Sequence, residues 1–137
     1  MIYEVTIQHS VYLGNGNEKI KKEQFLIDNC NMFADAEDLM YTQFSNLKNI
    51  DVIAIRRSKI KEIVNTCNNE NDKLFSADIM DVSIDEEGQE HEIVYRVIVW
   101  ALDIKDAQTK MEIYLKQGMD MQLIALRRTK YVDVYNF

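Results

Sequence analysis

The sequence predicts an α+β fold made by tandem duplication of a β-β-α-β unit, with a mainly antiparallel sheet and one helix on one face of each unit. Three observations predict it. Ala54-Ile55-Arg56-Arg57-Ser58-Lys59 returns as Ala125-Leu126-Arg127-Arg128-Thr129-Lys130, an offset of 71 that also carries Asp35-Ala36-Glu37 onto Asp106-Ala107-Gln108 and Leu26-Ile27 onto Val97-Ile98. Repetition on this scale decides the architecture before any local assignment. Each copy opens on a strand signal, with Tyr3, Val5 and Ile7 alternating with Glu4, Thr6 and Gln8 in the period-2 pattern of a half-buried strand. Each copy then carries a helical stripe, Phe33, Ala36, Met40 and Phe44 in the first and Ile104, Ala107, Met111 and Leu115 in the second, whose spacing puts all four on one face.

The elements follow in order. Leu13-Gly14-Asn15-Gly16-Asn17 supplies a turn between the first strand and a second running through Phe25-Leu26-Ile27. In the second copy the hairpin is Phe75 to Ile84, a turn at Asp85-Glu86-Glu87-Gly88-Gln89, and Ile93 to Trp100. Gly16 falls on Gly88 and Tyr3-Glu4-Val5 on Phe75-Ser76-Ala77 at an offset of 72, so one residue is expected to be missing from the second turn region. Asp103 is the expected N-cap of the second helix, Asp106 favours the positive end of its dipole, and Gly118 can end it. The Met and aromatic stripe reads as core. Ile53 and Ile55, and Ile124 and Leu126, are the expected inward positions of a third strand. Apolar residues resume at Ile60 and Ile63 and at Val132 and Val134, through a bulge or as a short fourth strand.

The chain therefore divides into a first repeat, residues 1–64, a polar Asn-rich connector, 65–73, and a second repeat, 74–137. Each repeat alone is small enough to be marginal, so the two are expected to dock as one compact domain. At the 71-residue offset Lys22-Glu23-Gln24 meets Ile93-Val94-Tyr95 and Asn29 meets Trp100. A strand apolar on both faces is usually covered on both, which makes Ile93, Tyr95 and Trp100 candidate interface residues, between the halves or in a homodimer.

With 137 residues, 47% hydrophobic and without proline, the chain is neither disordered nor a Pro-rich linker. No apolar run approaches the roughly 18 residues of a membrane span, and the start has no basic leader, so a cytoplasmic protein is expected. Cys30 and Cys67 lack CxxC spacing and read as reduced thiols. Nothing in the spacing of Cys30, Cys67, His9 and His91 supports a metal site, and no cofactor is expected. The net charge of −7 opposes a general attraction to phosphate backbones. It is unevenly spread: residues 1–64 are net −1 and residues 65–137 net −6.

Candidate chemistry is sparse. His9 and His91 fall in hairpins and read as exposed strand or turn residues. Gly14-Asn15-Gly16 joins two strands and so lacks the helix opening of a phosphate-cradling loop. The acidic group Asp81, Asp85, Glu86, Glu87, Glu90 and Glu92 lacks the spacing of a calcium loop and reads as a solvated face. The duplicated Arg-Arg-Ser/Thr-Lys segment has more promise, offering Arg56, Arg57, Lys59, Arg127, Arg128 and Lys130 as paired anion or nucleic-acid sites. Successive strand residues point to opposite faces, however, so Arg56 and Arg57 share a site only if a bulge intervenes. The competing reading pairs these cations with Glu62, Asp133 and neighbouring carboxylates. Tyr131, placed to stack on a base, is Ile60 in the first copy.

Tyr3-Glu4-Val5, Leu26-Ile27-Asp28, Phe33-Ala34-Asp35-Ala36-Glu37, the Arg-Arg-Ser-Lys-Ile segment with Glu62 after it, and the run from Asp85-Glu86-Glu87-Gly88 to Ile104-Lys105-Asp106-Ala107 together resemble the domain-of-unknown-function family 4494. The resemblance spans nearly the whole chain and implies an origin in Bacteroidota or their phages, including the crAss-like phages. It implies no activity, cofactor or catalytic residue. The expectation is a small non-enzymatic binding or accessory protein engaging a macromolecular partner, nucleic acid through the Arg-Arg segments or, in the alternative, protein through the acidic second half, as a phage-encoded inhibitor of a host system would.

Overall fold

The computed structural model describes residues 1–118 and 120–137. Ten elements run in chain order: β1 (Tyr3–Tyr12), β2 (Glu18–Asp28), α1 (Phe33–Gln43), β3 (Asp51–Arg57), β4 (Ile60–Ile63), β5 (Lys73–Ile84), β6 (Glu90–Ala101), α2 (Ile104–Leu115), β7 (Met121–Arg128) and β8 (Tyr131–Asn136). They form two four-stranded, mainly antiparallel sheets, ordered β3-β1-β2-β8 and β4-β6-β5-β7. The fold is α+β, with the same β-β-α-β arrangement in each copy.

The fourth strands are exchanged. β4, from the first repeat, pairs in parallel with β6, and β8, from the second repeat, pairs in parallel with β2. The compact units are accordingly Met1–Ser58 with Lys130–Phe137, and Lys59–Thr129. The chain passes from one unit to the other at Ser58–Lys59 and at Thr129–Lys130, inside the duplicated Arg-Arg-Ser/Thr-Lys segments. Asn65 to Asp72 of the polar connector lie in the second unit. There the Asn65 side chain donates to the Trp100 carbonyl at 2.9 Å and accepts from the Trp100 amide at 2.8 Å, continuing the strand-like pairing past β4.

In the first unit Tyr3, Val5, Ile7, Phe25 and Ile27 face α1 and bury Ala36 and Met40. Phe44 closes the end of this core against Phe25 and Tyr135, with ring centroids 5.0 and 5.9 Å away. In the second unit Phe75, Ala77, Ile79, Val97, Val99 and Ala101 do the same for Ala107 and Met111 of α2. The helical stripes are core in both units, although Phe33 and Ile104 at the helix starts are exposed. Phe33 nevertheless packs edge-on to Tyr3 at 5.1 Å. Asp103 caps α2, accepting from the Asp106 amide at 2.8 Å, and Asp106 returns the contact by accepting from the Leu102 amide at 3.0 Å. α2 ends at Leu115, before Gly118, where an added Cβ would meet the flexible end of the Met121 side chain, with Cε 2.1 Å away.

Three sequence expectations are corrected. The missing residue is not in the hairpin turn. Both turns span five residues, Leu13–Asn17 and Asp85–Gln89, each with its glycine at positive φ, +84° at Gly16 and +80° at Gly88. Tyr3 pairs with Ile27 and Phe75 with Val99, so the offset stays at 72 through both hairpins and falls to 71 only at the helix starts, Phe33 and Ile104. The deletion thus lies between β6 and α2. Lys22-Glu23-Gln24 corresponds to Val94-Tyr95-Arg96 and Asp28 to Trp100. Second, Ile53 and Ile124 are not inward. Each is skipped in the register, as the extra residue of a bulge, and is exposed, while Val52, Ile55, Leu123 and Leu126 pack inward. Third, His9 is buried, 7% exposed, because it continues the inward row of Tyr3, Val5 and Ile7.

Candidate interaction surfaces

The bulges precede the Arg pairs and leave them in regular register. Arg56 pairs with Glu4 and Arg57 with Tyr3, so the two side chains project to opposite faces of β3 and do not share a site. Arg56 spans both oxygens of the buried Glu4 carboxylate, 3.0 Å to Oε1 and 3.1 Å to Oε2, and the Tyr131 hydroxyl donates to Oε2 at 2.5 Å. Hydrogen bonding to Glu4 holds the Arg56 guanidinium above its ordinary pKa. In the second unit Ser76 stands where Glu4 would be, and Arg127 reaches Asp78 instead, at 3.2 Å, an acid it shares with Arg96 at 2.8 Å. Two of the four arginines are therefore ion-paired within their own sheets, Arg56 to Glu4 and Arg127 to the Asp78 it shares with Arg96. Glu62 instead accepts from the Tyr114 hydroxyl. Arg57 Nε donates to the Tyr3 hydroxyl at 3.4 Å. Lys59, Arg128 and Lys130 are exposed and form no ion pair among the described residues.

Ile93, Tyr95 and Trp100 do not form one patch. Ile93 and Tyr95 lie on the helix-side face of β6, and Trp100 points to the other. Ile93 is exposed and Trp100 buried. Tyr95 is half-buried, donates to Met121 Sδ at 3.1 Å and carries the Lys61 ammonium 4.0 Å over its ring.

The ends of the two hairpins, beyond the helices, are the most exposed ordered surfaces, and they differ in charge. Residues 81–94 hold Asp81, Asp85, Glu86, Glu87, Glu90 and Glu92 and no lysine or arginine. Asp85 is spent on the turn: one oxygen accepts from the Glu87 and Gln89 amides at 2.9 Å, and the other lies 2.7 Å from His91 Nε2. The hydrogen bond to His91 and those from the backbone hold its pKa below the ordinary aspartate value. Glu86, Glu87, Glu90 and Glu92 are exposed and unpaired among the described residues. Ile84, Ile93 and Val94 are exposed beside them.

The first hairpin carries Lys19, Lys21 and Lys22 at the matching place. Its two carboxylates already have partners. Glu18 accepts from Lys48, which lowers its pKa, and Glu23 lies 2.7 Å from His9 Nε2 and 3.9 Å from Lys21 Nζ. Tyr12 and Ile20 are exposed, with the Lys48 ammonium 4.7 Å over the Tyr12 ring. Sequence reasoning singled out the acidic turn but missed this basic counterpart, whose signal was Lys19-Ile20-Lys21-Lys22. No group of three or more His, Cys, Asp or Glu among the described residues is arranged to hold a metal.

Fold and surface define a duplicated α+β protein with exchanged fourth strands and two exposed hairpins of unlike charge. The chain belongs to the family described as a domain of unknown function, DUF4494, whose model matches residues 1–137. No curated protein matches it.

Proposed function

We propose that this is a non-enzymatic protein-interaction module of bacterial or phage origin, acting in the cytoplasm, that uses the β5–β6 hairpin to engage a basic protein surface. One observation carries the reading: residues 81–94 concentrate six carboxylates without a lysine or arginine, in a chain of net charge −7, on an exposed ribbon that also presents Ile84, Ile93 and Val94. Charge of one sign around apolar side chains steers association and selects the partner, while the apolar contacts supply affinity. Both histidines are tied to hairpin carboxylates, Glu23 and Asp85, which gives them structural work. The test is capture from host lysate with Glu86, Glu87, Glu90 and Glu92 changed to Gln. Loss of the proteins retained by the parent chain supports the reading, and unchanged capture overturns it.

A second reading rests on the cations left without carboxylates, Arg57 and Lys130 in the first unit and Lys59 and Arg128 in the second, and takes each set by itself as a contact for nucleic acid. Titration against single- and double-stranded DNA and RNA at low salt tests it: binding must be present and must fall when Arg57 and Arg128 are changed to Glu.

A further inference from the structure

We propose that the basic surface engaged by the acidic hairpin is the β1–β2 hairpin of a second copy of this chain, so that copies associate through unlike hairpins. The inference rests on the reading above and names the partner of the same site.

Charge complementarity carries it. Glu18 is matched by Lys48, and Glu23 lies 2.7 Å from His9 and 3.9 Å from Lys21, so the end of the first hairpin presents Lys19 and Lys22 without a carboxylate partner among the described residues and Lys21 exposed beside Glu23. The end of the second presents Glu86, Glu87, Glu90 and Glu92. The two ribbons have the same turn length and the same register, and on the face away from the helix each mixes its charges with apolar side chains. On the first, Lys22 lies beside Ile20, which stands diagonal to Tyr12, while Lys19 and Lys21 lie on the helix-side face. On the second, Glu90 and Glu92 lie beside Ile84 and Val94. Ile20 and Ile84 are 63% and 67% exposed, so neither apolar group is covered within the chain.

The pairing of like with like is disfavoured. A twofold contact between two acidic hairpins would bring their carboxylates together without a cation, and one between two basic hairpins would do the same with lysines. The favourable contact joins unlike hairpins of two copies, acidic to basic. Attraction between exposed charges is screened over about 10 Å at 0.1 M salt, so the association is salt-sensitive by construction.

Sedimentation velocity of the full chain across a concentration series, at about 0.02 M and about 0.5 M salt, tests the proposal. The expected result is a mass that rises with concentration above the 16.1 kDa of one chain at low salt and returns to it at high salt. Two variants, one with Lys19, Lys21 and Lys22 changed to Glu and one with Glu86, Glu90 and Glu92 changed to Lys, should each lose the association, and their equimolar mixture should regain it. The salt series on the parent chain needs no variant to fold. A single-chain mass at every low-salt concentration overturns the proposal, as does association unmoved by either variant. If the chain stays monomeric while lysate capture still depends on the acidic hairpin, self-association fails and the broader reading stands. If capture is also independent of the hairpin, both fail.

Discussion

Exchange of the fourth strands makes a crossed prediction: a substitution in the second repeat should loosen the first unit, and one in the first repeat should loosen the second. Tyr135 belongs to β8 by sequence, but its ring lies 5.8 Å from Phe25 and 5.9 Å from Phe44, in the core under α1. Truncating a fully buried aromatic to alanine costs about 3–5 kcal/mol. Tyr135 is half-buried, so Tyr135→Ala should cost the first unit about 2 kcal/mol, including the loss of two aromatic contacts. Amides that exchange by opening of that unit should then exchange about 30-fold faster. The mirror change is Ile60→Ala. Ile60 is buried on β4 beside β6 and should cost the second unit about 2–3 kcal/mol. Residue-resolved hydrogen exchange reads both. Tyr135→Ala should accelerate β1 and β2 and spare β5 and β7, and Ile60→Ala should do the reverse. If Tyr135→Ala accelerates β5 and β7 while β1 and β2 keep their protection, the exchange of strands is refuted.

Other outcomes follow from single contacts. Asp103→Ala removes the α2 cap and should lower stability to denaturant by about 1 kcal/mol, whereas Met32→Ala at the start of α1, which makes no side-chain cap bond, should not lower it through capping. Ile124→Ser at the second bulge should change stability by no more than about 0.5 kcal/mol, while Leu126→Ala, two residues on and packed inward, should cost about 1–2 kcal/mol; equal costs would put the bulge elsewhere. Asp85 has a folded pKa below its unfolded one, so its ionised form stabilises the β5–β6 turn. That contribution is fully present above the unfolded value and is lost as pH falls through the folded one. In an NMR acid titration the Glu87 and Gln89 amide shifts should therefore move together with the Asp85 carboxyl, at a pH below the ordinary aspartate range; movement within that range would contradict the hydrogen bonds to the turn.

Much of the fold was legible because the patterns are local. Alternation at Tyr3, Val5 and Ile7 and the stripe through Ala107 and Met111 are set by how one strand or one helix meets its own sheet. The remainder depends on partners distant in sequence. A bulge at Ile53 is invisible as periodicity, since Val52 and Ile55 look out of phase until β1 is laid beside them. The deletion was misplaced for a similar reason: Leu26-Ile27 and Val97-Ile98 are both apolar pairs, and only the pairing across each hairpin tells an offset of 71 from one of 72. His9 looks exposed because it falls in a hairpin, yet it continues the inward row of Tyr3, Val5 and Ile7, with Glu23 two residues along β2 from its partner Lys21. Fourth strands were foreseen as one of two possibilities, but their exchange was not. Ile60-Lys61-Glu62-Ile63 suits the open edge of β2 or of β6 equally well, and short alternating strands carry no information about which copy of an edge they will meet.

The same duplication places both Arg-Arg segments at equivalent structural positions. They lie where β3 and β7 end and the chain crosses into the other unit, so both copies need a strand end that is anchored before it leaves. The Ser58 amide donates to the Ile2 carbonyl at 2.9 Å and the Thr129 amide to the Leu74 carbonyl at 3.0 Å, the same contact in each unit. Arg56 and Arg127 add ion pairs at equivalent points but to different acids, Glu4 and Asp78, so the tethered strand end recurs without one particular pair. Resemblance between the copies at this segment thus follows from a shared mechanical requirement. The hairpin ends carry no such requirement beyond a turn of fixed length with a glycine at positive φ. Charge is free to differ there without cost to either core, and it does differ, with Lys19, Lys21 and Lys22 on one ribbon and no lysine or arginine from 81 to 94 on the other. A surface whose sequence the fold does not dictate is where binding specificity can reside, and that places the search for a partner on the hairpins.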